Sequence, residues 1–352
     1  MKQTIAVLIL CYLLYVAVCP AAGDGWLEKA EMPTARSNLA TAVVDGRIYA
    51  IGGEIANFQR LSVVEEYNPR TDSWRKGAEM PTARRSLATG VVGERIYAIG
   101  GYSIGNKAVR IVEEYNPLTD TWTKKRDMPT ARYGVSACVV NGMIYAIGGA
   151  GMADEDLATV EVYDPADDTW TKRTNMPTAR FAPTVSVVND RIYAIGGGIL
   201  VNGNQDTPVP VVEEYDPMMD TWVEKSDMPG GEYVTTSSAA GGEIYVFGGL
   251  EGMMVLGLAG PAVDSVSIVR CYNPATDTWS GKTDMPTPRS GASASTIDGK
   301  IYVIGGSEGV PAQRANEVPL SVVEEYTPDG WPFAVSPGNK LASTWGEIRQ
   351  EQ

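Results

Sequence analysis

Apolar and polar positions alternate in short runs along this chain, and the runs repeat. RIYAIGG stands at 47–53, 95–101 and 191–197. Near-copies read MIYAIGG at 143–149, EIYVFGG at 243–249 and KIYVIGG at 300–306. Ahead of each lies MPTAR or a relative, then a run of small residues such as SNLATAVVDG. Behind each come VVEEYNP and TDSW or their variants. Every piece reads as a strand. β-Branched and aromatic residues alternate between turn signals: Asp45-Gly46, Asn141-Gly142, Asp298-Gly299 and the Tyr-Asn-Pro or Tyr-Asp-Pro corners.

The copies keep a strict register. Met-Pro recurs at Met32, Met80, Met128, Met176, Met228 and Met285, and the second glycine always follows 21 residues later, from Gly53 to Gly306. Tyr leads Trp by 7 residues in five copies, as from Tyr67 to Trp74. Four strands per unit, about fifty residues per unit and six units predict an all-β, six-bladed β-propeller. The first strand is rich in Ala, Ser, Thr and Gly, which fit where blades converge on the axis. WLEKAEMP at 26–33 matches WTKKRDMP at 122–129, so Trp26 opens the chain as an orphan fourth strand. Trp331 arrives two residues early after Tyr326. The N-terminal strand is therefore expected to complete the sixth blade and remove open sheet edges.

Paired glycines after a hydrophobic strand, then Tyr and Trp at fixed spacing, resemble kelch repeats. The resemblance covers about 26–331. It implies the six-bladed propeller and leaves activity open, because kelch propellers include protein-binding adaptors, oxidases and sugar epimerases.

Charged positions carry a second pattern. Arg36, Arg84, Arg132, Arg180 and Arg289 occupy one register position, and Glu65, Glu113, Glu161, Glu213 and Glu324 another. The fifth copy exchanges both: Glu232 stands at the Arg position and Arg270 at the Glu position. The joint exchange predicts contact between first-strand and third-strand positions. It would cross the second strand, about 9–10 Å, through a slot left by Gly-Gly. A double charge reversal in another blade is then expected to be better tolerated than either single one. In some kelch adaptors, arginines at the MPTAR-like position contact acidic peptides, so the resemblance implies a ligand ring of the same five arginines. The internal exchange implies a structural pair in each blade. Both readings stand.

Length varies in one loop class. From second Gly to Tyr there are 14 residues in the first three copies, then 18 (Gly197 to Tyr215), 23 (Gly249 to Tyr272) and 20 (Gly306 to Tyr326). Insertions gathered on one face suggest a binding face. The loop 250–265 is apolar, with Met253 and Met254 suited to an adaptable contact. The position after the MPTAR arginine reads Ser37, Arg85, Tyr133, Phe181, Tyr233 and Ser290. Its aromatics either anchor a sugar or peptide or pack between blades. Asp72, Asp120, Asp168, Asp220 and Asp277 read as turn formers, and ADED at 153–156 lacks the ligand spacing of a calcium loop.

Composition narrows the function. Net charge is −14, which disfavours nucleic acid as a partner. The chain has no histidine, which removes His triads and His-ligated metals, including the copper site of kelch oxidases. No cofactor is expected. Residues 1–23 read as a signal peptide and predict a secreted, periplasmic or extracellular protein. Membrane contact would need an uncleaved signal or the apolar loop. Cys138 and Cys271 fall in non-adjacent copies and are expected as buried free thiols. The expected domains are the signal, a propeller over 24–331 and a tail over 332–352. The expected function is a non-catalytic binding or scaffold propeller for a protein or carbohydrate ligand. The alternative is a sugar-active enzyme resembling the kelch sialic-acid mutarotases.

Overall fold

A computed structural model describes residues 24–331 except 106, 154, 202–204, 253, 256–263 and 310–317. The expected signal, the tail, Met253 and parts of the long loops lie outside the described residues. Among the described residues there are six four-stranded antiparallel sheets. Blade one shows the plan: Ala40–Val44, Arg47–Ile51, Val64–Asn68 and Ser73–Lys76, paired in that order. First strands of successive blades neighbour one another around a closed ring, and Ser293–Ile297 of blade six returns to Ala40–Val44.

Burial follows from this stacking. The second strand lies between neighbouring blades on both faces, so its run is nearly continuously apolar. In Arg47–Ile51 every residue after the arginine is buried. The first strand alternates buried and half-buried positions along Ala40–Val44. Hydrophobic clusters mix neighbouring blades: Tyr49, Ile51 and Val64 of blade one pack with Leu87, Ile96 and Tyr115 of blade two. Each fully buried isoleucine stabilises by about 1.5–3 kcal/mol. Small first-strand residues are required because blades approach closely. A Cβ on Gly90 would stand 2.8 Å from Ile144 of the next blade.

The Tyr, Asp and Trp positions form one corner. Tyr67 donates to Asp72 (2.6 Å), which also accepts from the Ala30 amide (2.9 Å). Trp74 Nε1 donates to the Ala30 carbonyl (2.9 Å). Asp72 turns the chain at φ 49° and anchors the linker entering its own blade. Four further blades repeat these contacts at Asp120, Asp168, Asp220 and Asp277.

The sixth blade takes its corner from the other end of the chain. Gly25–Glu28 pairs with Val323–Thr327, placing Trp26 opposite Tyr326. Asp24 accepts from Tyr326 (2.7 Å) and from the Thr283 amide (2.8 Å), and Trp26 Nε1 donates to Thr283 (2.9 Å). Trp331 instead donates to the Asp298 carbonyl (2.7 Å) under a stacked Lys300.

The paired glycines need correcting. Gly52 and Gly53 have φ of +63° and +97°. A Cβ on Gly52 would meet the Arg84 carbonyl of blade two at 2.6 Å, and one on Gly53 the Ser37 carbonyl at 2.7 Å. Only secondarily would the latter touch Arg36 Cδ (3.3 Å). Backbone conformation and close backbone approach demand the glycines, more than clearance for a guanidinium.

Candidate functional site

Second-to-third-strand loops and the linkers into the first strands share one face. Five blades hold the same triad beneath it. Arg36 reaches Glu65 (2.8 Å), Arg84 Glu113 (2.9 Å), Arg132 Glu161 (2.8 Å) and Arg180 Glu213 (2.7 Å), and Arg289 pairs with Glu324. A threonine completes each triad: Thr34, Thr82, Thr130, Thr178 or Thr287 donates to the other carboxylate oxygen. The guanidinium also donates to strand carbonyls, as Arg132 does to Ala146, Gly148 and Thr159. Burial pulls the Arg84 and Arg132 guanidiniums down to about 10, against the opposing pull of Glu113 and Glu161.

These five arginines are 0–1% exposed. Burial corrects the ligand-ring expectation: the Nη donors bind the glutamates and strand carbonyls inside the blades, while Nε of Arg36, Arg84, Arg180 and Arg289 is buried without a hydrogen-bond partner. Blade five pairs Glu232 with Arg270 (2.5 Å) and has Gly230 where the others have threonine. A Cβ there would stand 2.5 Å from Arg270 Nη2. The Arg270 side chain stays 21% exposed.

Above the triads, six equivalent residues ring the axial mouth in left-handed conformation. They are Asn38, Ser86, Gly134, Ala182, Val234 and Gly291, with φ from 45° to 60°. Val234 is β-branched, and that conformation is strained for it. The mouth opens on a cavity of about 230 Å³. Thr41, Thr89, Ser136, Thr184, Ser237 and Ser293 give it hydroxyls, and none of its described lining residues is charged.

The rim has two chemical halves. Ser290, Ser307, Ser37 and Glu54, all buried, and the half-buried Arg85 make the polar half across blades six, one and two. Arg85 binds Glu54 (3.0 Å) and lies over Tyr102 (5.1 Å). Tyr133 and Phe181 continue the arc as an aromatic half, with ring centroids 5.5 Å apart. Both are half-buried, with Phe181 lying over Gly134 of the preceding blade. Tyr233 is 1% exposed and packs with Leu250, which corrects its reading as a ligand anchor.

Long loops gather over blades four to six. Gln205–Pro208 of blade four pairs with Gly198–Val201 and also with Met254–Val255 of blade five. Met254 thus lies in a short strand opposite Asp206. Ser265 Oγ of blade five donates to the Ser307 carbonyl of blade six (3.1 Å).

One set of charged partners escapes the first pattern. Glu66 binds Arg47 (2.9 Å) and Arg75, and Glu325 binds Lys300 (2.7 Å) and Tyr302 (2.7 Å). Arginine and tyrosine contacts hold Glu66 below the usual carboxylate range, overcoming the opposing effect of burial. The signal was present in the copies. Where the base becomes Met143 the acid becomes Val162, and where it becomes Glu243 the acid becomes Cys271. Burial pushes the Cys271 thiol up to about 12, so it is inert as a nucleophile. Cys138 and Cys271 are both free and buried.

A family model described as KLHDC2/KLHL20/DRC7 Kelch-repeats domain matches residues 26–197. The Kelch motif model matches 179–229, 235–286 and 288–331. Kelch repeat and BTB domain-containing protein 12 of Homo sapiens is 31% identical over 116 residues, 32% of this chain and 18% of that protein. Kelch-like protein terF of Aspergillus terreus is 35% identical over 105 residues, 29% of this chain and 22% of that protein. The matches thus span 18% and 22% of the length of these two relatives. Among solved structures, the chain described as "Structure of YjhT" superposes with a TM-score of 0.69 at 14% identity, over 84% of this chain and 96% of that one. That likeness is one of fold.

Proposed function

The chain belongs to the kelch-repeat family, and from that premise we propose that it is a non-catalytic recognition propeller. It binds a protein through the face built by the long loops of blades four to six. Kelch propellers serve as protein-binding scaffolds, and recognition on such scaffolds is carried by loops on a rigid frame. The observation that carries the reading is the strand pairing of Gln205–Pro208 with Met254–Val255. It joins loops of two blades into one surface, which independent loops would not make. Residues 1–23 direct export in this reading, so the partner is extracellular or periplasmic.

A carbohydrate ligand is the second reading, favoured by the half-buried Arg85, Tyr133 and Phe181 that follow one another along the rim. A sugar-active enzyme resembling the mutarotases would need an exposed carboxylate beside an arginine. The pattern-breaking Glu232 is instead buried against Arg270.

The test uses residues 24–352, beside a variant with loop 250–265 shortened, against secreted proteins and a glycan array. Protein capture lost with the loop supports the main reading. Glycan binding that survives shortening and fails in F181A supports the second. Anomer exchange of a free sugar by the intact chain would overturn both.

A further inference from the structure

Five of the six seams between blades are stitched by the same three backbone hydrogen bonds. The amide at the Arg position donates to the preceding blade's long loop, as Arg84 does to Leu61 (3.1 Å). Its carbonyl accepts from that blade's second glycine, as Arg84 does from Gly53 (3.0 Å). The left-handed residue two places on donates to its counterpart, as Ser86 does to Asn38 (2.8 Å). All three recur where blade six meets blade one: Arg36 to Leu320 (3.1 Å), Gly306 to Arg36 (3.0 Å) and Asn38 to Gly291 (2.8 Å).

The seam between blades four and five makes none of the three. Glu232, Gly197, Val209, Val234 and Ala182 are all described residues, and no backbone bond joins them across it. The backbones also stand farther apart. A Cβ on Gly196 would lie 3.5 Å from the Glu232 carbonyl, whereas the equivalent contact is 3.0 Å or less at the other five seams. The outer end stays seated, with the Met228 amide on Pro210 (2.8 Å). The inner end is held by hydroxyls, Thr184 and Ser186 to Ser237 (2.7 and 2.8 Å).

The local sequence supplies the cause. MPGGEYV replaces the MPTAR pattern. Gly230 turns at φ +107°, Val234 is forced to +56°, and the Tyr233 ring lies against Gly198 of blade four. The strain and the bulk both fall on this seam.

We infer that this seam is the opening joint of the propeller, in preference to the sixth blade where the chain ends meet. The sixth blade is closed by four paired positions and the Asp24 contacts. Over the joint, the pairing of Gln205–Pro208 with Met254–Val255 acts as a strap between the two blades. Anything that grips both loops holds the joint shut. The joint itself stands independently of the proposed function.

Amide hydrogen exchange on the full chain, read by mass spectrometry at single-residue resolution, tests this. Met228 is the discriminating amide, because its bond to Pro210 matches those of Met80 to Ser62 and Met285 to Ser267, each 2.8 Å. A mere lack of local bonds would leave Met228 as protected as the other two. An opening joint makes it exchange at least about tenfold faster. Equal protection at the three methionines, or fastest exchange in 25–28 and 323–327, overturns the inference. The variant G230T/G231A/E232R/R270E rewrites blade five toward the common pattern and is expected to restore Met228 protection. Unchanged exchange in a folded variant would refute the assigned cause. Should that variant fail to fold, the exchange map of the unmodified chain decides.

Discussion

Removing the arginine of one triad should cost more than removing its carboxylate. In blade three, Arg132 donates to Glu161 (2.8 Å) and to three carbonyls: Thr159 (2.7 Å), Gly148 (3.0 Å) and Ala146 (3.1 Å). Glu161 gives up only that partner and Thr130 (2.7 Å). E161Q keeps an oxygen for one donor and leaves all three carbonyls satisfied. Its loss is about 3–5 kcal/mol, because the buried Arg132 keeps its charge without its ionic partner. R132M takes one donor from each of three carbonyls, of which Thr159 keeps the Gly148 amide (3.1 Å), and leaves a buried carboxylate facing a methyl group. Loss of the ionic partner alone costs about 3–5 kcal/mol, and each carbonyl adds about 1 kcal/mol. The sum, about 6–8 kcal/mol, lies within the whole stability of a typical domain. Urea unfolding followed by tryptophan fluorescence measures both, with soluble yield as the readout if R132M does not fold. Equal losses for E161Q and R132M would show that the pair acts by charge alone. The same asymmetry revises the charge-reversal expectation. R132E/E161R restores attraction but offers no donor at position 132 for the carbonyls, so it stays well below the parent protein.

Two further outcomes follow from the blade corners. Burial, then the Asp partner, raises the Tyr67, Tyr115 and Tyr272 phenols, and the tyrosine hydrogen bond leads in lowering Asp72, Asp120 and Asp277. Raised phenols stabilise fully below their unfolded value of about 10 and lose this as pH rises, while lowered carboxylates stabilise above about 3.9 and lose it as pH falls. Thermal melting is therefore expected to hold a plateau between those limits, and tyrosinate absorbance developing near pH 10 with no fall in melting temperature would refute the corner's role. At the ring closure, D24N should destabilise by about 1–2 kcal/mol, close to D168N, because Asp24 does in blade six what Asp168 does in blade three; no loss with D24N would mean that blade six closes without its corner.

The sequence by itself determined the strands, their number per unit, the six units and the use of Trp26 to finish the last blade. These are local or periodic facts. Alternation, turn residues and fixed spacing are written within about fifty residues and then repeated. Even the Glu232–Arg270 exchange was legible, because six copies in one chain compare themselves. The tertiary structure decided everything that crosses a seam. It buried the five arginines, turned Tyr233 inward, and set the glycines against a neighbouring blade's backbone. It also joined the loops of blades four and five and left their seam unstitched. These contacts link groups nearly fifty residues apart, such as Thr89 Oγ1 and the Thr41 carbonyl. They depend on how closely two rigid sheets approach. A repeat pattern specifies each sheet, but shifts of half an ångström between sheets arise from bulk and strain at a few exceptional residues, here Gly230, Tyr233 and Val234.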